Sequence, residues 1–144
     1  MRKALSALVL GIIFFATTSC DGQKTISPSA VDATITAFVT TNFPQATITT
    51  CIKDCGEYEV MLSDGTKIDF DRSYVWESVD CEHSTSYTEV PEAIIPQAIK
   101  NYVATNYPNN YIRKISKDGK RWDIELNNGL DIEFDKNFNV IEIG

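Results

Sequence analysis

Residues 58–71, which read YEVMLSDGTKIDFD, decide the fold because they predict a β-hairpin. Apolar and polar residues alternate on both sides of Ser-Asp-Gly at 63–65. An Asp-Gly pair between two alternating runs is typical of antiparallel strands joined by a tight turn. Residues 122–135, which read WDIELNNGLDIEFD, repeat this pattern 64 residues later. The sequence therefore predicts the same hairpin twice.

A longer repeat surrounds the two hairpins. A shift of 64 residues aligns 26–79 with 90–143 without a gap, and 13 of these 54 positions are identical. Before each hairpin, apolar residues recur at helical spacing until an Asn-Phe-Pro or Asn-Tyr-Pro sequence, where the proline ends the helix. Each copy therefore predicts a helix followed by four strands. The predicted fold class is α+β, with two tandem helix plus four-stranded antiparallel meander units.

The repeat also predicts how the chain is organised. A unit of about 55 residues buries little apolar surface alone, so we expect the two units to share a continuous sheet or to pack edge to edge. The predicted segments are a signal peptide at 1–19, a polar tether at 20–25, a first repeat at 26–81, a linker at 82–89 and a second repeat at 90–144.

The first 20 residues predict export. Arg2 and Lys3 precede an apolar run over 4–16, which is too short to span a bilayer but suits the core of a signal peptide. The small residue before Cys20 resembles the lipobox of bacterial lipoproteins, in which the cysteine is lipidated. The alternative is an ordinary secretory peptide cleaved near Ser19, which leaves Cys20 a free thiol. We expect a periplasmic or cell-surface protein that contacts the membrane through its lipid anchor only.

Charge and composition argue against several functions. The 144 residues include 20 acidic and 13 basic side chains and carry a formal charge of −7, whereas nucleic-acid binding needs a basic surface. A single histidine, His83, makes Ser-His-Asp, Cys-His and multi-histidine zinc chemistry hard to build. We therefore predict no catalytic residue, no metal site, no cofactor and no nucleic-acid partner.

The repeated motifs resemble the PepSY-like domain of exported proteins from Bacteroides-type bacteria. They are Phe43-Pro44, Tyr58-Glu59-Val60, Asp64-Gly65 and Ile68-Asp69-Phe70-Asp71, with Tyr107-Pro108, Trp122-Asp123-Ile124, Asn128-Gly129 and Ile132-Glu133-Phe134-Asp135 in the second copy. The resemblance covers nearly all of the mature chain. It implies helices on one face of a long curved sheet, similar to the β-lactamase inhibitory protein, and an association with proteins that restrain secreted enzymes. Such a fold-level analogy does not fix function.

Alternation along the strands predicts a charged face opposite the helices. Its residues, which we predict as a partner-binding face, are Glu57, Glu59, Lys67, Asp69, Asp123, Glu125, Asp131 and Glu133. An acidic face attracts a basic loop or peptide in a salt-sensitive way. The alternative is a solvated outer face whose like charges keep sheets from stacking. Calcium binding is a weaker hypothesis, because residues two apart on a strand are separated by about 6.5–7 Å, too far for a compact cage.

Three further cysteines, Cys51, Cys55 and Cys81, lie in a chain predicted to reach an oxidising compartment. Three thiols allow three pairings and leave one over. Cys51 and Cys55 flank the turn between the first two predicted strands of the first repeat, and a Cys51–Cys55 disulfide is our prediction. The alternative for Cys51 is a small core residue.

These features predict an exported, non-enzymatic binding module. We expect it to engage another envelope or secreted protein through the open sheet face, and inhibition of that partner is an extension of the hypothesis. The competing hypotheses are a structural or scaffolding envelope lipoprotein without inhibitory activity and a cation-binding protein. The sequence leaves the oligomeric state open.

Overall fold

The computed structural model describes residues 22–144 as two α-helices, two short 3-10 helices and nine β-strands. The helices are α1 (Ala33–Asn42) and α2 (Gln97–Asn106), and the 3-10 helices at Pro28–Ala30 and Glu92–Ile94 precede them. The strands are β1 (Lys24–Ile26), β2 (Ile48–Asp54), β3 (Glu57–Leu62), β4 (Lys67–Phe70), β5 (Trp76–Asp80), β6 (Ile112–Lys117), β7 (Arg121–Leu126), β8 (Asp131–Asp135) and β9 (Val140–Ile143). In this part of the chain, no helix is long and apolar enough to cross a membrane.

The strands form one open antiparallel sheet in the order β1 to β9. The predicted fold class, two tandem helix plus four-stranded units, is therefore wrong, because residues 22–144 form a single nine-stranded sheet with only two α-helices. β5 pairs directly with β6, so the backbone groups at that edge are satisfied within the sheet. β1, which crosses the predicted boundary between tether and first repeat, adds a strand beside β2. The division of the chain into repeats and a linker stays a prediction.

Local chemistry sets the ends of the α-helices. The Asp32 carboxylate accepts a hydrogen bond from the Thr34 N–H at 2.8 Å and so caps the first turn of α1. Each helix ends at an asparagine, Asn42 or Asn106, two residues before a proline. A proline disfavours helical backbone in the residue before it, so the chain leaves the helix there and turns towards the next strand.

Both α-helices pack on the same face of the sheet and share one core with its inward residues. The helix residues buried there are Ile35, Val39, Ile99 and Val103. Phe38 of α1 meets Phe70 edge-on with ring centroids 5.4 Å apart, and Tyr102 of α2 meets Phe134 in the same way at 5.3 Å. The opposite side of the sheet, here called the bare face, is covered by neither helix.

The segment 82–89 packs against the first hairpin. The Ser84 hydroxyl donates a hydrogen bond to Asp64 Oδ2 at 2.9 Å, and the Thr85 N–H donates to the Asp64 carbonyl oxygen at 2.8 Å. Asp64 also accepts from the Thr66 N–H at 2.9 Å and is buried. One side chain in the hairpin turn therefore holds both the turn and the segment that crosses it.

A close backbone approach accompanies these hydrogen bonds. Gly65 has a φ of +95°, and a Cβ at this position would lie 2.5 Å from the His83 carbonyl oxygen. Further along the segment, the Tyr87 ring packs edge-on against Phe43 with centroids 5.0 Å apart. The segment 82–89 is thus fixed at both ends by contacts with the first half of the chain, and only glycine leaves room for it at position 65.

Candidate functional site

Side chains from eight neighbouring strands form a row across the bare face, here called the cross-sheet row. Its members, from β2 to β9, are Ile52, Glu59, Asp69, Ser78, Ser116, Asp123, Glu133 and Glu142. Their strand neighbours, such as Val60, Ile68 and Ile124, are buried in the core, so the alternation of the strands directs the row to the other side. One acidic pair, Glu59 and Asp69, therefore lies on one side of the two central serines, and a second pair, Asp123 and Glu133, lies on the other side with Glu142 beyond it.

The eight residues predicted as a partner-binding face all belong to the bare face. Four of them, Glu59, Asp69, Asp123 and Glu133, are members of the cross-sheet row. The other four, which lie in the adjacent rows, are Glu57, Lys67, Glu125 and Asp131. The fold thus brings the predicted residues onto one surface, and the binding of a partner to that surface stays a prediction.

Two aspartates on the bare face have carboxyl groups whose pKa is raised, mainly by burial. Burial raises the pKa of Asp69, and although Lys67 opposes this rise, the Glu59 carboxylate adds to it. Burial and the Glu133 carboxylate likewise raise the pKa of Asp123. Among the described residues, neither aspartate has an ion-pair partner within 4.0 Å. A cation supplied from outside would stabilise both charged forms.

A basic cluster near the middle of the bare face was not predicted. Lys114 Nζ lies 2.6 Å from a Glu82 carboxylate oxygen and 3.4 Å from Glu125, and Arg113 forms an ion pair with Glu125. The missed signal was the sequence IRKISK of β6, in which buried Ile115 stands between Lys114 and Ser116. Lys114 also lies 3.7 Å from Asp80 of β5, so these cations pair with carboxylates on both sides and divide the acidic face into two areas.

The structure corrects the cysteine prediction. The Cys51–Cys55 bridge is wrong, because Cys51 is a free thiol, fully buried opposite Val60. Alternation turns the Cys51 side chain into the core, whereas Cys55 lies in the turn that joins β2 to β3. Cys55 is disulfide-bonded. Cys81, like Cys51, is a free and buried thiol. Burial raises the pKa of the Cys81 thiol to about 12.

The remaining candidates from the sequence are a metal site, His83 and Cys20. Within residues 22–144, no group of three or more His, Cys, Asp or Glu side chains is placed to hold a metal ion. The His83 side chain is 82% exposed. Cys20, the predicted lipidation site, lies outside the described residues.

Comparisons with known proteins agree with the motifs. The family model described as "Putative beta-lactamase-inhibitor-like, PepSY-like" matches residues 56–142. No match was found among the curated proteins.

Three solved structures from Bacteroides are similar to this chain. A "putative periplasmic protein from DUF2874 family" of Bacteroides vulgatus is 35% identical with a TM-score of 0.78, over 88% of this chain and 99% of that one. A "putative calcium-regulated periplasmic protein" of Bacteroides thetaiotaomicron is 35% identical with a TM-score of 0.76, over 85% and 96%. A "putative periplasmic protein of unknown function" of Bacteroides vulgatus is 26% identical with a TM-score of 0.76, over 85% and 99%. The chain belongs to the PepSY-like family, as its repeated motifs predicted.

Proposed function

We propose that this protein is an exported, non-catalytic binding module that engages another envelope or secreted protein through the bare face. The observation that carries the proposal is the cross-sheet row, in which two acidic pairs flank Ser78 and Ser116 on a side of the sheet that neither helix covers. Support for export comes from the similar Bacteroides structures, which are described as periplasmic proteins. The family description adds inhibition as one form that such binding takes.

The charge pattern also defines the partner's chemistry. Asp69 on β4 and Asp123 on β7 are three strands apart, which corresponds to about 14 Å at the usual strand spacing. Both carboxylates lack an ion-pair partner among the described residues, and burial raises the pKa of each. A partner loop with two basic side chains at that separation would form an ion pair with each of the two carboxylates. Binding of this kind is rapid at low salt and weakens as salt screens the charges.

A pull-down with matched variants tests the proposal. The purified wild-type protein is incubated with periplasmic extract of its own bacterium at about 0.05 M and about 0.5 M salt, and bound proteins are identified by mass spectrometry. The test variant is Asp69→Lys with Asp123→Lys. The control, Glu89→Lys with Glu92→Lys, makes the same charge change at exposed positions outside the bare face. We expect a saturable partner that high salt and the test variant release and the control variant retains.

Several outcomes would contradict the proposal. They are the absence of any partner at low salt, and retention of the partner by the Asp69→Lys/Asp123→Lys variant. If the partner is an enzyme, its activity is measured with and without the protein. A partner that binds without any loss of activity supports the scaffolding hypothesis over inhibition.

We further propose that a lipid on Cys20 anchors the mature protein, because the small residue before Cys20 follows a signal-peptide core. Two or more acyl chains would hold it firmly at a membrane. Labelling of cells with a radioactive fatty acid should mark the wild type but not Cys20→Ala. A sulfur that carries a lipid cannot also form a disulfide, so an unlabelled protein, or a peptide map that links Cys20 to Cys55, would contradict the anchor.

Calcium is tested in the same preparation. The "calcium-regulated" description belongs to the Bacteroides thetaiotaomicron structure, and within residues 22–144 of this chain no cluster of metal-ligating side chains is placed to form a cage. Titration calorimetry with calcium should therefore give no saturable heat. A saturable signal that Asp69→Lys/Asp123→Lys abolishes would favour the cation-binding hypothesis instead.

A further inference from the structure

We propose that the outer edge of β9 binds an extended segment of the partner in which basic and apolar residues alternate. The inference rests on the proposed function, because it adds a second contact for the same protein partner. In the described chain, no strand lies beyond β9, and Ile141 and Ile143 are 51% and 48% exposed. An unpaired strand edge of this kind can accept a further strand through its main-chain groups.

The hydrogen bonds of β9 show which of its groups are open. Gly144 and Asp131 exchange two backbone hydrogen bonds, at 2.9 and 3.0 Å. Along an antiparallel pair, residues alternate between bonding the neighbouring strand and pointing away from it. The N–H and carbonyl of Ile143, which is paired with Ile132 in the register, therefore point away from β8. They are the donor and acceptor that an added strand would use.

The chain itself contains an example of a strand on such an edge. Val79 of β5 corresponds to Ile143 under the 64-residue shift, and it pairs with Ile115 of β6. β6 reads IRKISK, with Ile115 buried and Lys114 on the bare face. Lys114 lies 3.7 Å from Asp80 of β5. The residues of β6 that pair with β5 are Lys114, Ile115 and Ser116, so the edge of β5 accepts a strand with an apolar residue on the core side and with Lys114 and Ser116 on the bare face, opposite Asp80 and Ser78.

The side chains of β9 favour the same type of strand. Glu142 lies on the bare face beside Glu133, and among the described residues it has no ion-pair partner within 4.0 Å. On the helix side, Ile143 and Val140 leave apolar surface exposed. Cross-strand neighbours interact directly, so an added strand would place a basic residue near Glu142 and an apolar one near Ile143. A second copy of β9 fits less well, because its own Glu142 would bring a like charge to this face.

A peptide titration followed by NMR tests the inference. The probe is a capped peptide of residues 110–118, NYIRKISKD, which contains β6, and the receptor is the isotope-labelled mature protein. We expect saturable shifts of the Ile141 and Ile143 amides. Glu142→Lys should weaken binding about fivefold, because the charge contact becomes repulsive. The control Glu89→Lys, which changes an exposed acid outside the sheet, should leave the affinity unchanged.

Each alternative outcome has a distinct signature. No saturable shift at β9, or equal binding of a peptide with glutamate at its three β6 basic positions, would overturn the inference. Shifts centred on Ser78 would mean that the peptide replaces β6, and shifts at β9 that depend on protein concentration without peptide would mean self-association. Both would overturn it. Release of a partner by Asp69→Lys/Asp123→Lys but not by Glu142→Lys would leave the proposed function standing and remove only the edge contact.

Discussion

Replacement of Gly65 by alanine tests whether the segment 82–89 is held against the first hairpin. A Cβ at Gly65 would lie 2.5 Å from the His83 carbonyl oxygen, so the backbone of one segment must move. Gly129, the corresponding residue 64 positions later, has a φ of +84° against +95° at Gly65, but no atom lies within 4 Å of its Cβ position. The two substitutions therefore share the strain of positive φ and differ in the clash.

The structure allows the two effects to be estimated. A left-handed backbone costs a residue with a Cβ about 1–2 kcal/mol, so Gly129→Ala should lower the free energy of unfolding by that amount. Gly65→Ala carries the same strain and also displaces Ser84 and Thr85, which both bond to Asp64. Loss of these two hydrogen bonds adds about 1 kcal/mol each, which gives a total of about 3–4 kcal/mol.

Urea unfolding followed by circular dichroism measures both variants against the wild type. Hydrogen exchange should also show that the Thr85 amide loses protection in Gly65→Ala and keeps it in Gly129→Ala. Equal losses of unfolding free energy, together with a protected Thr85 amide in both variants, would refute the docked arrangement of 82–89.

Three other predictions follow from individual groups. Asp64→Ala should lower the unfolding free energy by about 2–3 kcal/mol, because it removes the acceptor of the buried Thr66 N–H and of the half-buried Ser84 hydroxyl. Asn128→Ala, which removes one exposed bond to the Leu130 N–H, should cost about 1 kcal/mol or less. Urea titrations compare the two variants, and equal costs would count against the Asp64 network. Burial raises the pKa of Cys81 to about 12, so the folded thiol keeps its proton and should resist iodoacetamide at pH 8. Above about pH 9 the thiol ionises in the unfolded chain only, so the free energy of unfolding should fall as the pH rises from there. Rapid alkylation of the native protein would contradict this. Burial raises the pKa of Asp69, so its ionisation opposes folding above the ordinary aspartate pKa of about 3.9. Asp69→Asn should therefore raise the melting temperature at pH 7 and lose this advantage below about pH 3.9. A lower melting temperature of the variant at pH 7 would argue against the burial of this carboxyl group.

Local features of the sequence predicted individual elements well. The alternation over 58–71 and 122–135 placed the β3–β4 and β7–β8 hairpins, because side chains on a strand alternate between core and solvent. The Asn-Phe-Pro and Asn-Tyr-Pro sequences placed the ends of α1 and α2 at Asn42 and Asn106. The same alternation assigned Glu59 and Asp123 to the face opposite the helices. Such inferences succeed because their physical cause lies within a few residues.

Features that depend on distant segments were not predictable in this way. The pairing of β1 with β2 joins Lys24 to Lys53, and a strand of only three residues, Lys-Thr-Ile, is too short to show an alternating pattern. The sequence left open whether the two units share a sheet or pack edge to edge, because the single nine-stranded sheet depends on the pairing of β5 with β6 across 31 residues of intervening chain. The burial of Cys51 follows from the register of β2 with β3, which sequence spacing alone does not fix. Strand pairing and register between distant segments determine these contacts.

Photo-crosslinking from the bare face tests the central claim most directly. A photoreactive phenylalanine analogue replaces Ser116, which lies between the two acidic pairs, and a second variant carries it at Thr36, which is exposed on the helix side. Irradiation of cells that express each variant should give a discrete adduct with an exported protein from position 116 and none from position 36, and Asp69→Lys/Asp123→Lys should abolish that adduct. An adduct from position 36 alone, or one from position 116 that survives the charge reversal, would contradict binding through the acidic pairs of the sheet.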